Sequence, residues 1–370
     1  MEKEATNMKK NLQVSGLITW MQMTLKILVI LCALTCNAQQ GNQTPFSQID
    51  KNSQDRNKPN VCFLKGNGHI YGFDDFSNIE KGKSYMTLEK SLVSPLYGYT
   101  YFQNVKNRHI YFDGHTSNLH FFMSGHTYPT GETRGSALAS LWCSISGQGN
   151  IMATKPVENK ELAKLTVDIY DRLNIKVLLV HVNLIEDNGT NTISTLTNSG
   201  ASTKYECFKK AVVYVTGDEI NYNYHSTQLF NSNGLINNYT LNSIPDDFLS
   251  LCPQNYQNEY HYIQFEFPKI ALYKENANDT AKEVLGLAQP SGIYSFVFYC
   301  RDKNGGSPVF LNRAYTHELA HNMGCTDTKK TRFYKTLMFY KMDKDNPGEE
   351  NIRYTNWRII HNNIATKLSL

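Results

Sequence analysis

The sequence has few charged residues, and they are not gathered into basic runs. Charged residues make up 19% of the 370, and the formal net charge is only +4. A nucleic-acid-binding protein usually concentrates Lys and Arg on one surface, so the sequence excludes that class of partner. Internal repeats and long low-complexity tracts are also missing. Because 41% of the residues are hydrophobic, with 23 Tyr and 18 Phe, the composition predicts a packed, partly β-rich globule.

The N-terminal segment lacks an apolar run long enough to span a membrane. Its clean apolar stretch covers only residues 27–34 and is bounded by Lys26. Basic residues precede it, and small residues follow at Cys36 and Ala38, which predicts a signal peptide over residues 1–38. The alternative is an uncleaved anchor that starts near Leu12. We therefore expect a secreted, extracellular protein without stable membrane insertion.

Export would place the remaining cysteines in an oxidising compartment. After removal of the signal peptide six cysteines remain: Cys62, Cys143, Cys207, Cys252, Cys300 and Cys325. Six cysteines in a secreted chain predict disulfides, with about fifteen connectivities open. Four glycosylation sequons agree with the same compartment, at Asn42, Asn188, Asn238 and Asn278.

The pattern along the chain changes near Pro156. Before it, short aromatic runs over residues 61–149 predict several β-strands joined by turns, after a polar linker over residues 41–60. After it, apolar residues spaced three or four apart predict a helix over residues 157–173. Residues 175–184 are β-branched and apolar, which predicts a strand buried on both faces.

The rest of the chain carries the same two kinds of signal. A second helix is predicted over residues 202–216, followed by a long loop rich in Asn and Tyr as far as Tyr260. Three further strands are predicted, at YIQFEF, at residues 284–288 and at residues 292–300. Two further helices are predicted, around His317 and after Thr355. A helix that leads directly into a buried strand indicates an α/β (α+β) layered architecture.

The most informative stretch is LNRAYTHELAHNMGCTD, in which two histidines lie four residues apart. On a helix His317 and His321 share one face, so both imidazoles can bind one metal ion. Glu318 adjoins that face and can accept a proton from a water molecule on the metal, then pass it to the leaving amine. Zinc in catalytic sites takes such ligands together with a third protein ligand and one open position. The sequence therefore predicts a catalytic Zn²⁺ site.

Residues beyond the second histidine are candidates to complete this site. Gly324 lets the chain leave the helix in a left-handed conformation and turn back, which brings Asp327 within reach as the third ligand. Asp327 could instead bond the backbone of its own turn. Further on, Met338 and Tyr340 have a spacing compatible with a tight turn below the metal. Tyr340 is a candidate ligand or oxyanion donor, whereas Met338 could equally be ordinary core.

Two other histidines are interpreted as structural. His181 lies within the apolar strand, where a core histidine with satisfied hydrogen bonds is expected. His361 falls on the terminal helix, and the sequence names no partner for it.

These residues resemble the signature of the metzincin zinc proteases. That signature has two histidines, the glutamate, the glycine and a third ligand ten residues after the first histidine, then a turn that contains methionine. The likeness is greatest to the reprolysin or ADAM-type group, especially the compact secreted enzymes of venom and tick saliva. The group's first helix and second strand resemble the stretch DRLNIKVLLVHVNLIED, and its edge strand resembles VLGLA. Its closing helix resembles RYTNWRIIHNNI, and its propeptide resembles SGHTYPTGETRGSALASLWCSISG. The resemblance implies a mixed twisted sheet above a cleft, with substrate extended along the edge strand.

The resemblance covers most of the chain from about Ser124 onward and departs from the group in three respects. Asp327 stands where reprolysins have histidine. Between Gly147 and Glu158 there is neither the group's first catalytic strand, nor a basic processing site, nor its cysteine-switch sequence. No cysteine-rich or disintegrin region follows. The implied parts are a signal peptide over 1–38, a β-rich propeptide-like region over 39–157 and a metzincin-type catalytic domain over 158–370.

The predicted function is that of a secreted, monomeric zinc metalloendopeptidase. Glu318 and Tyr340 are the predicted catalytic residues, and His317, His321 and Asp327 the predicted metal ligands. The expected substrates are extracellular proteins or peptides. The alternative is a secreted binding protein or toxin that keeps the protease fold with impaired catalysis. A weaker alternative is a zinc protease of this general kind with an unrelated substrate domain.

Overall fold

The chain forms a mixed α+β structure, with several β-sheets and few helices, in the computed structural model. The structure describes residues 61–65, 69–74, 83–101, 111–114, 119–123, 134–155, 160–186, 191–192, 205–237, 246–250, 256–274, 278–301, 308–309, 312–328, 337–338 and 352–369. The predicted signal peptide and linker lie outside these residues. Among the helices that are described, none is long and apolar enough to cross a membrane.

The described elements fall into an N-terminal and a C-terminal group. The first group of strands is β1 (Val61–Lys65), β2 (Phe73–Asp74), β3 (Lys83–Glu89), β4 (Val93–Tyr101), β5 (Tyr111–Gly114), β6 (Leu119–Met123), β7 (Arg134–Cys143), β8 (Gly147–Lys155) and β9 (Lys160–Tyr170). The second group is β10 (Leu173–Ile185), β11 (Asn191–Thr192), β12 (Val213–His225), β13 (Tyr262–Ile270), β14 (Leu272–Tyr273), β15 (Lys282–Glu283), β16 (Gly286–Ala288), β17 (Tyr294–Arg301) and β18 (Pro308–Val309). The helices are α1 (Asp246–Leu249), α2 (Asn312–Asn322) and α3 (Tyr354–Leu368), with 3₁₀-helices at Glu206–Ala211 and Ser226–Gln228.

The N-terminal strands form two sheets that share one core. The first sheet has the order β1-β4-β7-β6 and the second β2-β3-β9-β8-β5. Phe63 and Leu141 from the first sheet and Met86, Ile151 and Leu165 from the second belong to one buried apolar cluster. The strands predicted from the aromatic runs are therefore confirmed for this part of the chain.

The helix predicted over residues 157–173 is wrong, because residues 160–170 form β9. Ala163, Leu165, Val167 and Ile169 are all buried, and they lie two residues apart, which is the period of a strand. Apolar residues at this density also satisfy the helical spacing of three or four. Pairing with β3 on one side and β8 on the other decides in favour of the strand.

The second predicted helix, over residues 202–216, is reduced to the 3₁₀-helix Glu206–Ala211. Val212 ends it with a left-handed φ of 58°, and β12 begins at the next residue. β12 pairs in parallel with β10 along thirteen residues, so pairing again overrides local helical spacing. The long loop predicted as far as Tyr260 therefore contains most of β12, and also α1.

The C-terminal sheet has a buried core on each face of its central strands. β10, β13 and β17 run parallel, and β16 pairs antiparallel to β17 at the end of the sheet. Along β10, Val177 and Leu179 enter the core beneath α2 and α3, whereas Leu178 and Val180 enter an aromatic core on the opposite face. The predicted strand over 175–184, buried on both faces, is confirmed. So are the strands at YIQFEF, 284–288 and 292–300, in β13, β16 and β17, and the two last helices, in α2 and α3.

The cysteines depart from the expected disulfides at two positions. Cys143 and Cys325 are buried and carry free thiols. Burial raises the pKa of the Cys143 thiol, and it raises the pKa of Cys325 to about 12. Both thiols are therefore protonated at neutral pH and pack as small apolar groups. Cys252 lies outside the described residues, and only the backbone is described at Cys62 and Cys300.

Candidate metal centre

Helix α2 carries the histidine pair and is embedded in the protein. Its residues from Arg313 to Ala320 are all buried, and it packs against β13, β16 and β17. His317 and His321 are one turn apart, with ring centroids separated by 4.7 Å. The helix therefore presents both imidazoles at one place, as the spacing of the motif predicts.

The chain leaves α2 sharply and returns toward the histidines. Gly324 has a φ of +90°, and its N–H donates to the carbonyl of His321 at 2.8 Å. A side chain at this position would overlap the Asn363 amide of α3. Only glycine combines this backbone conformation with so close an approach of α3. Because the chain reverses here, Asp327 reaches the two rings.

His317, His321 and Asp327 meet at one point. The two Nε2 atoms are 3.2 Å apart, and Asp327 Oδ1 lies 3.3 Å from Nε2 of His317 and 3.5 Å from Nε2 of His321. In the part of the chain that the structure describes, these three residues are the group that could hold a metal ion. All three predicted ligands are thus brought together.

Backbone carbonyls orient both rings. Nδ1 of His317 donates to the Leu337 carbonyl at 2.8 Å, and Nδ1 of His321 donates to the Cys325 carbonyl at 2.9 Å. A carbonyl only accepts, so in the neutral imidazoles the proton lies on Nδ1 and both Nε2 lone pairs face each other. Such facing lone pairs repel unless a proton or a cation lies between them. Carbonyl partners of this kind are typical of metal-binding histidines.

The spacing of the three atoms fits zinc. Two ligand atoms that are each about 2.0–2.1 Å from a common ion at the tetrahedral angle lie about 3.3 Å apart. The three distances, from 3.2 to 3.5 Å, agree with that value. Two imidazole nitrogens and one carboxylate oxygen are also a donor set found in catalytic zinc sites. The Asp327 side chain is 42% exposed, so the open side of the trio faces solvent.

The charges of the trio are strongly coupled. Burial lowers the pKa of His321, but the Asp327 hydrogen bond and the Glu318 and Asp327 charges outweigh it and raise that pKa to about 9. Burial acts to raise the pKa of Asp327, yet its bonds to His317 and His321 hold it well below its usual range. Without a metal, a proton on His321 therefore occupies the space between the donors. A bound cation would replace that proton.

Glu318 lies against the edge strand beside the trio. Its side chain is only 5% exposed. Burial raises the Glu318 pKa above its usual range, although the charges of His317 and His321 oppose the shift. A Cβ added to Gly286 on β16 would lie 2.5 Å from Cδ and from Oε1 of Glu318. The carboxylate is therefore confined between the histidines and a strand position that has room only for glycine.

Asn322 ties the end of α2 to the β16–β17 connection, and the sequence pattern does not single it out. Its Nδ2 donates to the carbonyls of Gln289 at 3.0 Å and Tyr294 at 2.8 Å. Ser291 N–H also donates to the His321 carbonyl at 3.1 Å. These bonds fasten the β16–β17 connection to the end of α2. The sequence indicates this role of Asn322 only by placing a polar residue directly after the second histidine, in a helix that is otherwise buried.

The predicted methionine segment lies under the site. Met338 is buried, and its carbonyl accepts from Thr328 N–H at 2.7 Å. Its neighbour Leu337 is the residue whose carbonyl orients His317, and Arg313 Nη2 donates to the same carbonyl at 3.2 Å. Tyr340 lies outside the described residues, so its predicted role stays a prediction.

The two histidines interpreted as structural have partners away from the trio. His181 lies between two carboxylates, with Nδ1 3.3 Å from Glu266 and Nε2 3.2 Å from Glu219. His361 Nδ1 donates to the Ala211 carbonyl at 2.9 Å, and the ring stacks on Tyr170. Both side chains are satisfied where they lie.

Comparison with known proteins assigns no family. No protein-family model matches the chain, and no curated protein matches it. Domains 4 and 5 of the S-layer protein SbsC share 11% identity with it, at a TM-score of 0.19 over 23% of this chain and 46% of that one. A family 123 glycoside hydrolase from Clostridium perfringens shares 9%, at 0.18 over 60% and 43%. A Vibrionaceae Photobacterium 2,6-sialyltransferase shares 8%, at 0.12 over 50% and 35%. The chain spans less than half the length of each, and similarities this weak assign neither fold nor function.

Proposed function

We propose that this protein is a secreted zinc-dependent endopeptidase of the metzincin type. The observation that carries the proposal is the meeting of His317 Nε2, His321 Nε2 and Asp327 Oδ1 within 3.5 Å, with Glu318 beside them. A zinc ion held by these three atoms would supply Lewis-acid chemistry at a peptide carbonyl. The donor set, the spacing and the carbonyl-oriented tautomers all support zinc at this point.

Glu318 is the proposed general base and acid. Its burial favours the neutral form of the carboxyl group, so its affinity for a proton is higher than that of an exposed glutamate. A carboxylate with a raised pKa can accept a proton from the attacking water and later donate it to the leaving amine. Hydrolysis needs both transfers, because the amine leaves as a neutral group.

The edge strand β16 is the proposed docking position for the substrate backbone. β16 pairs antiparallel to β17, and it ends the order of the sheet. An extended peptide can add to such an edge through main-chain hydrogen bonds, which suits substrates of varied sequence. Since Gly286 of β16 contacts Glu318, a peptide bound along this edge would pass close to the base.

The test is hydrolysis of casein or gelatin by the purified secreted chain. We expect cleavage that stops on chelation, returns with added zinc, and is lost in Glu318→Gln while zinc stays bound. The matched control is Gln289→Glu, which makes the reverse replacement, of an amide by a carboxylate. It does so on an exposed side chain near β16. Stoichiometric zinc without hydrolysis would favour the alternative, a secreted binding protein or toxin that keeps the site. Cleavage that survives both chelation and Glu318→Gln would refute the proposed enzyme.

A further inference from the structure

We propose that the N-terminal sheets stay with the C-terminal part as a bound subunit, even when the chain is cut between β8 and β9. The contacts that would hold these sheets lie away from the metal trio, so their retention would not require the proposed function. Strands β1–β8 belong to the region that resembles a propeptide. The partner that fits the surface on α3 and β12 is the set of strands β1–β8 of this same chain.

β9 lies inside its sheet, between β3 and β8. β9 pairs in parallel with β3 from Lys83↔Lys164 to Glu89↔Tyr170, and antiparallel with β8 from Gly147↔Ile169 to Lys155↔Lys160. Both neighbours precede the interval between Lys155 and Lys160, whereas β9 follows it. A cut there would leave the C-terminal fragment supplying an internal strand of the N-terminal sheet.

The side chains of β9 bind the same N-terminal core. Ala163, Leu165, Val167 and Ile169 are at most 2% exposed and lie in one cluster with Leu88. If the N-terminal fragment departed, these apolar side chains would face water, and both edges of β9 would lose their backbone partners. Both changes oppose release.

β9 is in turn anchored to the C-terminal helix. Asp168 is buried, and it accepts from Arg358 Nε at 2.6 Å and from Arg358 Nη2 at 2.9 Å. Trp357 Nε1 donates to the same carboxylate at 3.3 Å. A paired charge at this depth holds β9 on α3, so the C-terminal fragment would keep β9 in place after a cut.

Residues before the cut also contact α3 directly. Tyr85 stacks on Tyr354 with centroids 3.7 Å apart and planes inclined by 3°. Asp74 Oδ2 accepts from Tyr354 N–H at 3.2 Å and pairs with Arg353 Nε at 2.7 Å. The Asp74 and Arg353 side chains are only 10% and 14% exposed, so solvent screens this pair weakly.

A second set of contacts joins the sheet that contains β2 and β3 to the 3₁₀-helix Glu206–Ala211 and to β12. Gly72 N–H and Thr87 Oγ1 both donate to the Lys210 carbonyl, at 3.2 and 2.7 Å. Tyr214 on β12 donates to Glu89 Oε2 at 3.1 Å. A Cβ on Gly72 would lie 2.5 Å from two ring atoms of Trp357, so the sheet approaches α3 without a gap.

These contacts are made on α3, β12 and the 3₁₀-helix Glu206–Ala211. None of them uses a residue of the metal trio. Asn363 on the same α3 donates to the Met323 carbonyl at 2.9 Å, next to the Gly324 turn that returns Asp327 to the histidines. The bound sheets would therefore steady the helix that backs the site. Their retention is compatible with an accessible trio.

The experiment uses the full chain with a specific protease site inserted between Lys155 and Lys160. After cutting, we expect the two fragments to co-elute in equal amounts without denaturant and to separate only in denaturant. Gly72→Ala should weaken the cut complex by about tenfold, because the added methyl crowds Trp357, and the replacement of the bound N-terminal fragment by a labelled copy measures this. The exposed Ser144→Ala should leave the complex unchanged. Separation or aggregation of the cut wild-type protein would overturn the proposal, as would an unaltered Gly72→Ala complex.

A second measurement needs no insertion. Native-state hydrogen exchange on the unmodified chain should show β9 amides protected as strongly as those of β10. Early opening of β9 and β3 while β10 stays protected would overturn the proposal. Neither readout depends on proteolytic activity, so failure here is distinguishable from failure of the proposed function.

Discussion

Gly286→Ala tests the packing of the proposed base most sharply. The added methyl would lie 2.5 Å from Cδ and Oε1 of Glu318, where ordinary contact is 3.4 to 4 Å. One of the two groups must therefore move by about 1 Å. Glu318 is only 5% exposed, and Gly286 is held by pairing with Val297, so neither moves freely.

The expected loss follows from the size of that displacement. A misplacement of about 1 Å can cost roughly 10²-fold in rate. Crowding a packed position costs about 1–3 kcal/mol of stability. We expect kcat for peptide hydrolysis to fall about a hundredfold, while zinc content stays at the wild-type value because the trio is untouched.

The assay compares kcat, KM, zinc content and urea unfolding for two glycine variants. In Gly292→Ala the new methyl would meet Gln289, with Cβ at 2.7 Å and Oε1 at 2.8 Å, so it crowds the same edge without touching Glu318. It should lose stability while kcat changes little. Full activity in a folded, zinc-loaded Gly286→Ala protein would show that the added methyl does not displace Glu318. An equal loss of kcat in both variants would show that the loss does not arise at Glu318.

Three further predictions concern the trio and its support. Asp327→Ala should lower zinc affinity, measured by chelator competition, by more than the ~10–100-fold typical of outer-shell partners. The exposed Thr326→Ala should leave zinc affinity unchanged. Equal zinc affinities of the Asp327→Ala and wild-type proteins would show that Asp327 is no ligand. In the metal-free protein the raised His321 pKa stabilises the fold fully below about pH 6.5, and this contribution is lost as pH rises through about 9. Urea unfolding in the presence of chelator should therefore show stability falling across that window, and a His321→Ala protein with the same fall would contradict this. Asn322→Leu leaves two carbonyls without their donor and should cost about 1–3 kcal/mol in urea unfolding; an unchanged midpoint would count against its role.

The sequence predicts the parts of the site that are local. His317, Glu318 and His321 need only one helical turn, and Gly324 needs only the reversal that follows it. Asp327 is six residues from His321, so its approach also follows from local geometry. Each of these placements depends on backbone conformations that short-range spacing determines.

The rest depends on contacts between distant segments. Spacing alone predicts a helix over residues 160–170, because only pairing with β3 and β8 distinguishes a strand there. The contact between Gly286 and Glu318, and the bond from His317 to Leu337, join residues 32 and 20 positions apart. The burial of Asn322 is likewise set by the fold around it. Single-sequence periodicity carries no information on such pairs.

The metal content of the folded 370-residue chain decides whether His317, His321 and Asp327 form a zinc site. After exposure to zinc and dialysis, elemental analysis should find one zinc per wild-type chain and none in the His317→Ala, His321→Ala double variant. A wild-type protein that is folded by circular dichroism and still free of zinc would show that these three residues do not form a zinc site.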